Sequence, residues 1–470
     1  MGKRFARLAL ALLVAFMQAT AFAAPIPVRG IVEGFYGKPW TQAQRLDMMA
    51  FCESHGLNAY IYAPKDDAYH RAKWREPYPS SQLKKLGALA AEAKKHGVRF
   101  IFAVSPGLDF VYDESPHGMA DRAALRDKLE ALYGVGVRDF AIFFDDVEQK
   151  DGRGQAMLLR WLDERFVKTH DGVSPLLTVP TECFLPDMEA RRGVPKPYTK
   201  DFSEGLAPDM PVLFTGDGVA REGVPADTLD RAAKLYRRRL GLWWNYPVND
   251  YMEAKLALGP VEKLPKDAEI PAIFFNPMTF AELSKISLAT GAAYALSPES
   301  YEPEAAWQKA IEEQYGTLAP EMRLFAGQSQ HLENNWAKMG PPDGAVLRAD
   351  MDALWRAWDA GENVDEQIGV LRQKIDALED AAKVLQSKLP GIKRRECKHQ
   401  LKQLARLAEA DHVALDLLEA LRAQDEKHRK KLTAKLERKL EQITQKEGKA
   451  KLSETVCRAF IEETLQRARK

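Results

Sequence analysis

The sequence predicts an α/β protein: a (β/α)8 barrel of the TIM type followed by an all-α helical bundle. Three observations support this prediction. Eight short apolar or aromatic runs recur between residues 28 and 290, with helix-like segments between most of them. Almost every run ends in polar or charged residues. Beyond about residue 303 the strand-like runs stop, and Glu, Lys, Ala, Leu and Arg dominate.

The eight runs are predicted to be parallel strands, because strands that alternate with helices usually form a parallel sheet. Eight such units over roughly 250 residues are typical of a closed barrel. An open, doubly wound sheet also alternates strand and helix, and it is the alternative at this point. The runs span residues 28–37, 57–65, 98–107, 137–146, 174–182, 210–218, 241–247 and 270–278.

Residues 303–470 are predicted to form a bundle of roughly four to six helices, which leaves 25–302 for the barrel. A repeat of apolar residues at steps of three and four marks one face of a long helix, and Pro390 and Gly391 end it. A second repeat lies in the charged stretch 425–442, whose charged face we interpret as solvated; a surface for an acidic polymer is the alternative. The first repeat consists of Ile368, Leu371, Ile375, Leu378, Ala382, Leu385 and Leu389.

Residues 1–24 have the three parts of a secretory signal peptide: a basic start, an apolar run at 8–17 and small residues before Pro25. Cleavage after Ala23 or Ala24 would make the mature protein periplasmic or secreted. An uncleaved membrane anchor is the alternative. No later stretch is long and apolar enough to span a bilayer, so we expect no stable membrane insertion after cleavage.

Composition argues against some classes of function. The 68 Lys and Arg residues nearly balance the 67 Asp and Glu residues, so the basic surface typical of nucleic-acid-binding proteins is not expected. Four cysteines do not make a disulfide framework in a chain of 470 residues. Cys52 is predicted to lie in a helix core, while Cys397 and Cys457 could pair in an oxidising compartment. Nothing in the sequence indicates the oligomeric state.

Asp145 and Asp146 directly follow the apolar run 140–144. In a (β/α)8 barrel the C-terminal ends of all strands lie on one face, so the polar ends of the runs, Glu33 among them, would surround one pocket. One of the two acids could cap the following helix, but a cap needs only one. A hard-cation site is a second alternative, yet only His70 lies near a predicted strand end, and no HxH or HExxH spacing occurs. Neither a metal nor a cofactor is expected.

Adjacent carboxylates suit acid–base chemistry. Two negative charges at close range oppose each other, so one acid can keep its proton for a leaving group while the other stays charged. Glycoside cleavage needs this division of roles because its transition state resembles an oxocarbenium ion. Neighbours on a strand point to opposite faces, so both acids enter one pocket only if the strand has ended by Asp145. Such a pair is too close in sequence to flank a sugar as nucleophile and acid, which favours attack by an N-acetyl group of the substrate itself.

Eight motifs occur together and in order along the predicted barrel: EGFYGKPW (33–40), YIYAPKDDAYHR (60–71), SPGLD (105–109), FFDD (143–146), PTE (180–182), FTGDGV (214–219), WWNYPVNDY (243–251) and NPM (276–278). Together they resemble glycoside hydrolase family 84. This family contains β-N-acetylglucosaminidases, among them O-GlcNAcase-type enzymes and bacterial proteins labelled hyaluronidases. The resemblance covers about residues 28–300 and implies a retaining exo-β-N-acetylglucosaminidase that acts through an oxazoline on glycans or glycoproteins bearing terminal N-acetylglucosamine. The helical half resembles the bundle of bacterial members only in composition.

The resemblance implies roles for twelve residues. Asp145 would bind the acetamido N–H of the sugar. Asp146 would protonate the glycosidic oxygen and then activate water. Of the other ten, Gly34 and Tyr36 would lie against the sugar, Lys65, Asp250 and Asn276 would bind its hydroxyl groups, Trp243 and Asn245 would enclose the acetamido group, and Cys183, Thr215 and Val219 would line the pocket.

Several of these residues also have a purely structural interpretation. Gly34 and Gly37 could serve a tight turn. Trp243 could be a core residue, with its neighbour pointing the other way. Lys65 could pair with Asp66 or Asp67.

Cys183 departs from the family pattern. The family usually has a tyrosine after PTE, and its hydroxyl group helps to place the acetamido carbonyl. A thiol is a weaker hydrogen-bond donor, so slower turnover is expected. Two alternative functions follow: a catalytically impaired barrel that binds N-acetylglucosamine, and an endo-acting, hyaluronidase-like glycosidase.

Overall fold

The computed structural model describes residues 24–469, so the predicted signal peptide, apart from Ala24, lies outside the described residues. Each of the eight predicted runs contains a strand. The strands are β1 (Val28–Glu33), β2 (Ala59–Tyr62), β3 (Arg99–Val104), β4 (Asp139–Phe143), β5 (Leu177–Val179), β6 (Leu213–Phe214), β7 (Gly241–Trp244) and β8 (Ala272–Phe275).

These strands form one parallel sheet in the spatial order β5-β4-β3-β2-β1-β8-β7-β6. The two end strands meet through a single parallel bridge between Thr178 and Val212. There the backbone N–H of Thr178 donates to the carbonyl of Pro211 at 3.1 Å. The sheet is therefore a nearly closed barrel. The predicted barrel is confirmed, and the open-sheet alternative is wrong.

A helix follows every strand of the barrel except β7. Between β7 and β8, within the described residues, the chain forms only a short 3-10 turn, Asp250–Met252. The first barrel helix begins with a capping box, in which Thr41 and Gln44 satisfy each other's backbone N–H groups. The helices are α1 (Gln42–Ser54), α2 (Ser80–Lys95), α3 (Pro116–Gly134), α4 (Gly152–Arg165), α5 (Pro197–Gly205), α6 (Ala226–Tyr236) and α7 (Ala281–Leu296).

The interior of the barrel is filled by side chains that point inward from the strands. On β4 the inward residues are Ala141 and Phe143, while Phe140 and Ile142 pack outward against the helices. Large and small side chains alternate, as in other barrels of this size. The inward set consists of Val32, Ala59, Ile61, Ala63, Ile101, Ala103, Ala141, Phe143, Leu177, Val179, Leu213, Trp243, Ala272 and Phe274.

Within residues 303–469, seven α-helices follow the barrel, where four to six were expected. The predicted apolar repeat of residues 368–389 lies on the fourth of them and is buried. Among residues 24–469, no helix is long and apolar enough to cross a membrane. The helices are α8 (Pro303–Tyr315), α9 (Ala319–Gly327), α10 (Ala345–Asp359), α11 (Asp365–Lys388), α12 (Gly391–Arg422), α13 (Glu426–Thr444) and α14 (Ala459–Ala468).

The four cysteines are free. Cys52 is buried on α1, as predicted. Cys397 and Cys457 are both buried in the helical domain, and the disulfide that they could have formed is not present.

Residues 254–261, which follow the 3-10 turn, attach the barrel to the helical domain. The carbonyl of Ala254 accepts from the backbone N–H of Lys451 at 2.8 Å, and the carbonyl of Leu258 accepts from the indole of Trp307 at 2.6 Å. Lys255 Nζ lies 2.9 Å from Asp343 Oδ2, and both side chains are almost inaccessible to solvent. A buried ion pair therefore ties the two halves together.

We predict that Lys255→Met destabilises the protein. Asp343 would be left as a buried carboxylate without its cation, which typically costs about 3–5 kcal/mol. Urea unfolding followed by tryptophan fluorescence and by circular dichroism should show a clearly lower midpoint. Lys266→Met is the matched control, because Lys266 pairs with Glu302 on the exposed surface and should leave the midpoint almost unchanged. Equal shifts in the two variants would contradict the prediction.

Candidate active site

A cavity of about 360 Å³ lies at the C-terminal ends of the barrel strands. All twelve residues that the sequence predicted for the site line it: Gly34, Tyr36, Lys65, Asp145, Asp146, Cys183, Thr215, Val219, Trp243, Asn245, Asp250 and Asn276. Five further residues were not predicted: Val179, Ala220, Val248, Tyr251 and Trp336.

Both acids of the pair face this cavity because the backbone changes conformation after β4. Asp145 continues the inward series of Ala141 and Phe143, so its side chain points into the barrel mouth. Asp146 would point outward in a continued strand. Instead it has a φ of 54°, in the left-handed region, where Asp is tolerated better than most residues. This turn brings the second carboxylate to the same cavity.

Lys65 lies between the two carboxylates. Its Nζ contacts Asp145 Oδ2 directly and lies 3.6 Å from Asp146 Oδ2. The Lys65 side chain is only 2% exposed, and burial alone would lower its pKa. The negative charges of Asp145 and Asp146 outweigh burial, so the pKa of Lys65 is raised and the side chain stays cationic. The structural alternative, in which Lys65 pairs with Asp66 or Asp67, is wrong.

The second oxygen of Asp145 is the most distinctive atom of the site. Asp145 Oδ1 is buried and has no hydrogen-bond partner among the described residues. A buried carboxylate oxygen normally accepts a hydrogen bond, so this atom is suited to an N–H donor of a ligand. No group of three or more His, Cys, Asp or Glu side chains within residues 24–469 is arranged to hold a metal ion.

Asp146 is more exposed than Asp145 and is held by Tyr36 and Arg71. Its side chain is 53% exposed, and its Oδ2 accepts from the phenol of Tyr36 at 2.8 Å. Arg71 donates to the same phenol oxygen at 2.5 Å and to the carbonyl of Asp146 at 2.7 Å. Asp145 is therefore enclosed, while Asp146 remains within reach of solvent.

The wall of the cavity is a chain of hydrogen bonds that starts at Trp243. The indole of Trp243 donates to Asn245 Oδ1 at 2.7 Å, and Asn276 Nδ2 donates to the same oxygen at 3.0 Å. Asn276 Oδ1 accepts from the backbone N–H of Gly34 at 3.2 Å. The Asn245 amide also donates to the carbonyl of Val219 at 2.9 Å. Trp243 is thus a core residue of the barrel and a wall of the cavity at once.

Position 34 requires glycine because the Trp243 ring lies close to the backbone there. A Cβ at this position would lie 2.4 Å from the ring of Trp243. The tight turn that was the structural alternative falls three residues later, at Gly37, which has a φ of 99°. The two glycines of EGFYG therefore serve different purposes.

Asp250 lies at the edge of the cavity, in the 3-10 turn that replaces a barrel helix. Its Oδ2 accepts from the backbone N–H of Tyr36 at 2.8 Å. Burial raises the pKa of the Asp250 carboxyl above its ordinary value, and this hydrogen bond opposes the effect of burial. The hydrogen bond between Tyr36 and Asp250 thus joins the loop after β1 to the loop after β7.

Cys183, Thr215 and Val219 lie together on one side of the cavity. The carbonyl of Cys183 accepts from the backbone N–H of Thr215 at 2.8 Å. Burial, followed by the charges of Asp145 and Asp146, raises the pKa of the Cys183 thiol to about 12. The thiol is therefore protonated at neutral pH, and a protonated thiol is a poor nucleophile.

Tyr251 and Trp336 are the two aromatic residues among the five lining residues that sequence reasoning missed. Their rings pack against each other at the cavity edge, with centroids 4.8 Å apart and planes tilted by 53°, and Trp336 is 44% exposed. Trp336 comes from a short hairpin in the half that was predicted as purely helical, Leu332–Glu333 with Lys338–Met339. An isolated tryptophan in such a segment gives no periodic signal. Tyr251 is the last residue of the motif WWNYPVNDY, so the motif could have predicted it as a site residue.

Two sequence profiles of known families match the chain. A profile described as beta-N-acetylglucosaminidase matches residues 29–327, which is more than half of the chain. The chain belongs to the beta-N-acetylglucosaminidase family. This is glycoside hydrolase family 84, so the predicted resemblance is confirmed. A second profile, hyaluronidase post-catalytic domain-like, matches residues 346–461 in the helical domain.

Known family members resemble the chain in sequence and in fold. Protein O-GlcNAcase of Rattus norvegicus and that of Mus musculus are each 30% identical over 277 residues, which cover 56% of this chain and 29% of the relative. The chain thus spans less than a third of the length of those curated relatives. The solved structure of CpGH84B is 37% identical, with a TM-score of 0.89 over 94% of this chain and 77% of that one. A variant of the Thermobaculum terrenum O-GlcNAc hydrolase is 28% identical, with a TM-score of 0.83 over 94% of both chains.

We predict that Gly34→Ala destabilises the protein by about 1–3 kcal/mol, because the new methyl group overlaps the hydrogen-bonded Trp243 ring. Urea unfolding measures this change. Gly369→Ala is the matched control: Gly369 lies exposed on α11 with open space around its Cβ position. The same substitution there should stabilise the protein by up to about 1 kcal/mol. Similar effects at both positions would refute the close-approach explanation.

Proposed function

We propose that the chain is an exported, retaining exo-β-N-acetylglucosaminidase that uses substrate-assisted catalysis. The observation that carries this proposal is the unpartnered, buried Oδ1 of Asp145 beside the solvent-accessible Asp146. One acid is suited to hold an amide N–H within the pocket. The other is suited to exchange protons with a leaving group and with water.

In the first step the acetamido N–H of the bound sugar donates to Asp145 Oδ1. This contact orients the acetamido carbonyl oxygen, which attacks the anomeric carbon while the bond from that carbon to the glycosidic oxygen breaks. Asp146 gives its proton to the departing oxygen. The positive charge that develops on the oxazoline is stabilised by Asp145, whose own negative charge is balanced by Lys65.

In the second step water attacks the anomeric carbon from the side that the leaving group vacated. Asp146, now ionised, accepts the proton of this water. The bond between the anomeric carbon and the acetamido oxygen breaks, and the acetamido group is restored. Two inversions at the anomeric carbon give net retention.

The exo mode is proposed from the size of the cavity. At about 360 Å³ it lies at the lower end of the range for small-molecule sites, which suits one sugar residue better than several. The substrates are proposed to be glycans or glycoproteins that end in β-linked N-acetylglucosamine, in keeping with the family and with relatives named O-GlcNAcase.

Export is proposed from the three-part pattern of residues 1–24. We expect the protein recovered from a periplasmic or culture fraction to begin at Ala24 or Pro25. N-terminal sequencing of the full-length expressed chain measures this directly. An intact Met1 terminus on material confined to the membrane fraction would instead support the anchor.

We predict that the parent releases nitrophenol from the aryl β-N-acetylglucosaminide and that Asp146→Ala removes most of this activity on poor leaving groups. General acid catalysis usually contributes about 10²–10⁴-fold, so a loss of that size in kcat/KM is expected, with much smaller losses on a dinitrophenyl leaving group. Glu148→Ala is the matched control, because Glu148 is an exposed carboxylate two residues along the chain.

Two outcomes would contradict the proposed function. Asp146→Ala with parental activity on a poor leaving group would remove the acid–base assignment. Binding of N-acetylglucosamine by calorimetry without any turnover of the parent would instead identify the impaired, sugar-binding barrel.

A further inference from the structure

Arg71 lies behind the cavity wall and forms a closed set of hydrogen bonds with Tyr36 and Asp146. One guanidinium nitrogen donates to the phenol oxygen of Tyr36 at 2.5 Å, and the other donates to the carbonyl of Asp146 at 2.7 Å. The phenol in turn donates to Asp146 Oδ2 at 2.8 Å. Arg71 therefore reaches both the backbone and the carboxylate of one residue, without lining the cavity itself.

Asp146 needs such support because little else restrains it. Its backbone is in the left-handed region with a φ of 54°, a conformation that surrounding contacts must maintain. More than half of its side chain is exposed, so packing does not select one rotamer. Lys65 Nζ lies 3.6 Å from the Asp146 oxygen that accepts from Tyr36, which is beyond hydrogen-bond distance.

We propose that Arg71 is a positioning residue for proton transfer. Through the Asp146 carbonyl it maintains the turn after β4, and through the Tyr36 phenol it fixes the orientation of the carboxylate. This inference rests on the proposed function, in which Asp146 is the acid and base. Proton transfer requires a donor–acceptor distance of about 2.6–3.2 Å, so a loosely held carboxylate is a poor acid even when it is present.

In this role Arg71 affects only those reactions that need proton transfer by Asp146. A leaving group that departs without protonation does not need an oriented acid. We therefore expect Arg71→Met to lower kcat/KM about 10- to 100-fold on an alkyl glycoside and less than about 3-fold on the dinitrophenyl glycoside. Arg71→Lys can keep one of the two hydrogen bonds and should recover part of the activity on the alkyl glycoside.

The experiment measures kcat and KM over a series of β-N-acetylglucosaminides with graded leaving groups, for the full chain and its variants. The double variant Arg71→Met, Asp146→Ala should be no slower than Asp146→Ala alone, because Arg71 acts through Asp146. Arg75→Met is the matched control. Arg75 lies on the same loop, stacks over Trp74 and pairs with Asp109 and Asp121. Its replacement should leave the dependence on the leaving group unchanged.

A loss in Arg71→Met that is equal for all leaving groups, or that adds fully to the loss in Asp146→Ala, would overturn the proposal. If Arg71→Met does not fold, Tyr36→Phe breaks the link to the carboxylate alone and should show the same selectivity for poor leaving groups. A Tyr36→Phe variant that slows all leaving groups equally, or none, would also overturn the proposal. A parent without glycosidase activity would refute the proposed function instead, so the two failures are distinct.

Discussion

The contact of Lys65 with the two carboxylates is the interaction on which the pocket depends. Lys65 follows β2 and Asp145 follows β4, so strands that are not neighbours in the sheet must be brought together by the curvature of the barrel. Removing such charges from water is costly unless they meet closely. Because Lys65 contacts Asp145 and lies 3.6 Å from Asp146, like charges can occupy adjacent positions in the chain.

Much of the fold and site could be predicted because strands, strand ends and motifs leave local signals. The direction of a strand-end side chain is harder to predict. Glu33 ends β1 but faces the helices, where Arg45 binds it with two hydrogen bonds of 2.7 Å. Glu182 likewise accepts from the Thr199 hydroxyl at 2.7 Å instead of entering the cavity. In a barrel both faces of each strand are apolar. The sequence of a strand therefore lacks the alternation of polar and apolar residues that would reveal which face points inward.

Other features depend on contacts between distant parts of the chain and leave no local signal. The helix that is missing after β7 is replaced by the 3-10 turn and residues 254–261. The backbone of this segment bonds to the helical domain at Ala254 and Leu258, and to Thr290 on the barrel helix α7 at Val261. This arrangement also brings the hairpin that carries Trp336 to the cavity edge, next to Tyr251. The helical domain therefore contributes to the site, although composition alone described it as a separate bundle.

Cys183 affects the proposed reaction differently from the residues around Asp146. Its thiol, with a pKa raised to about 12 by burial and neighbouring charge, does not act as a base or nucleophile at neutral pH. Proton transfer is left to Asp146, which is held by Tyr36 and Arg71. A weaker donor in place of the family tyrosine would alter only the placement of the attacking acetamido oxygen. Because every substrate uses that oxygen, the effect of Cys183 should be equal for good and poor leaving groups, whereas the effect of a misplaced Asp146 should not.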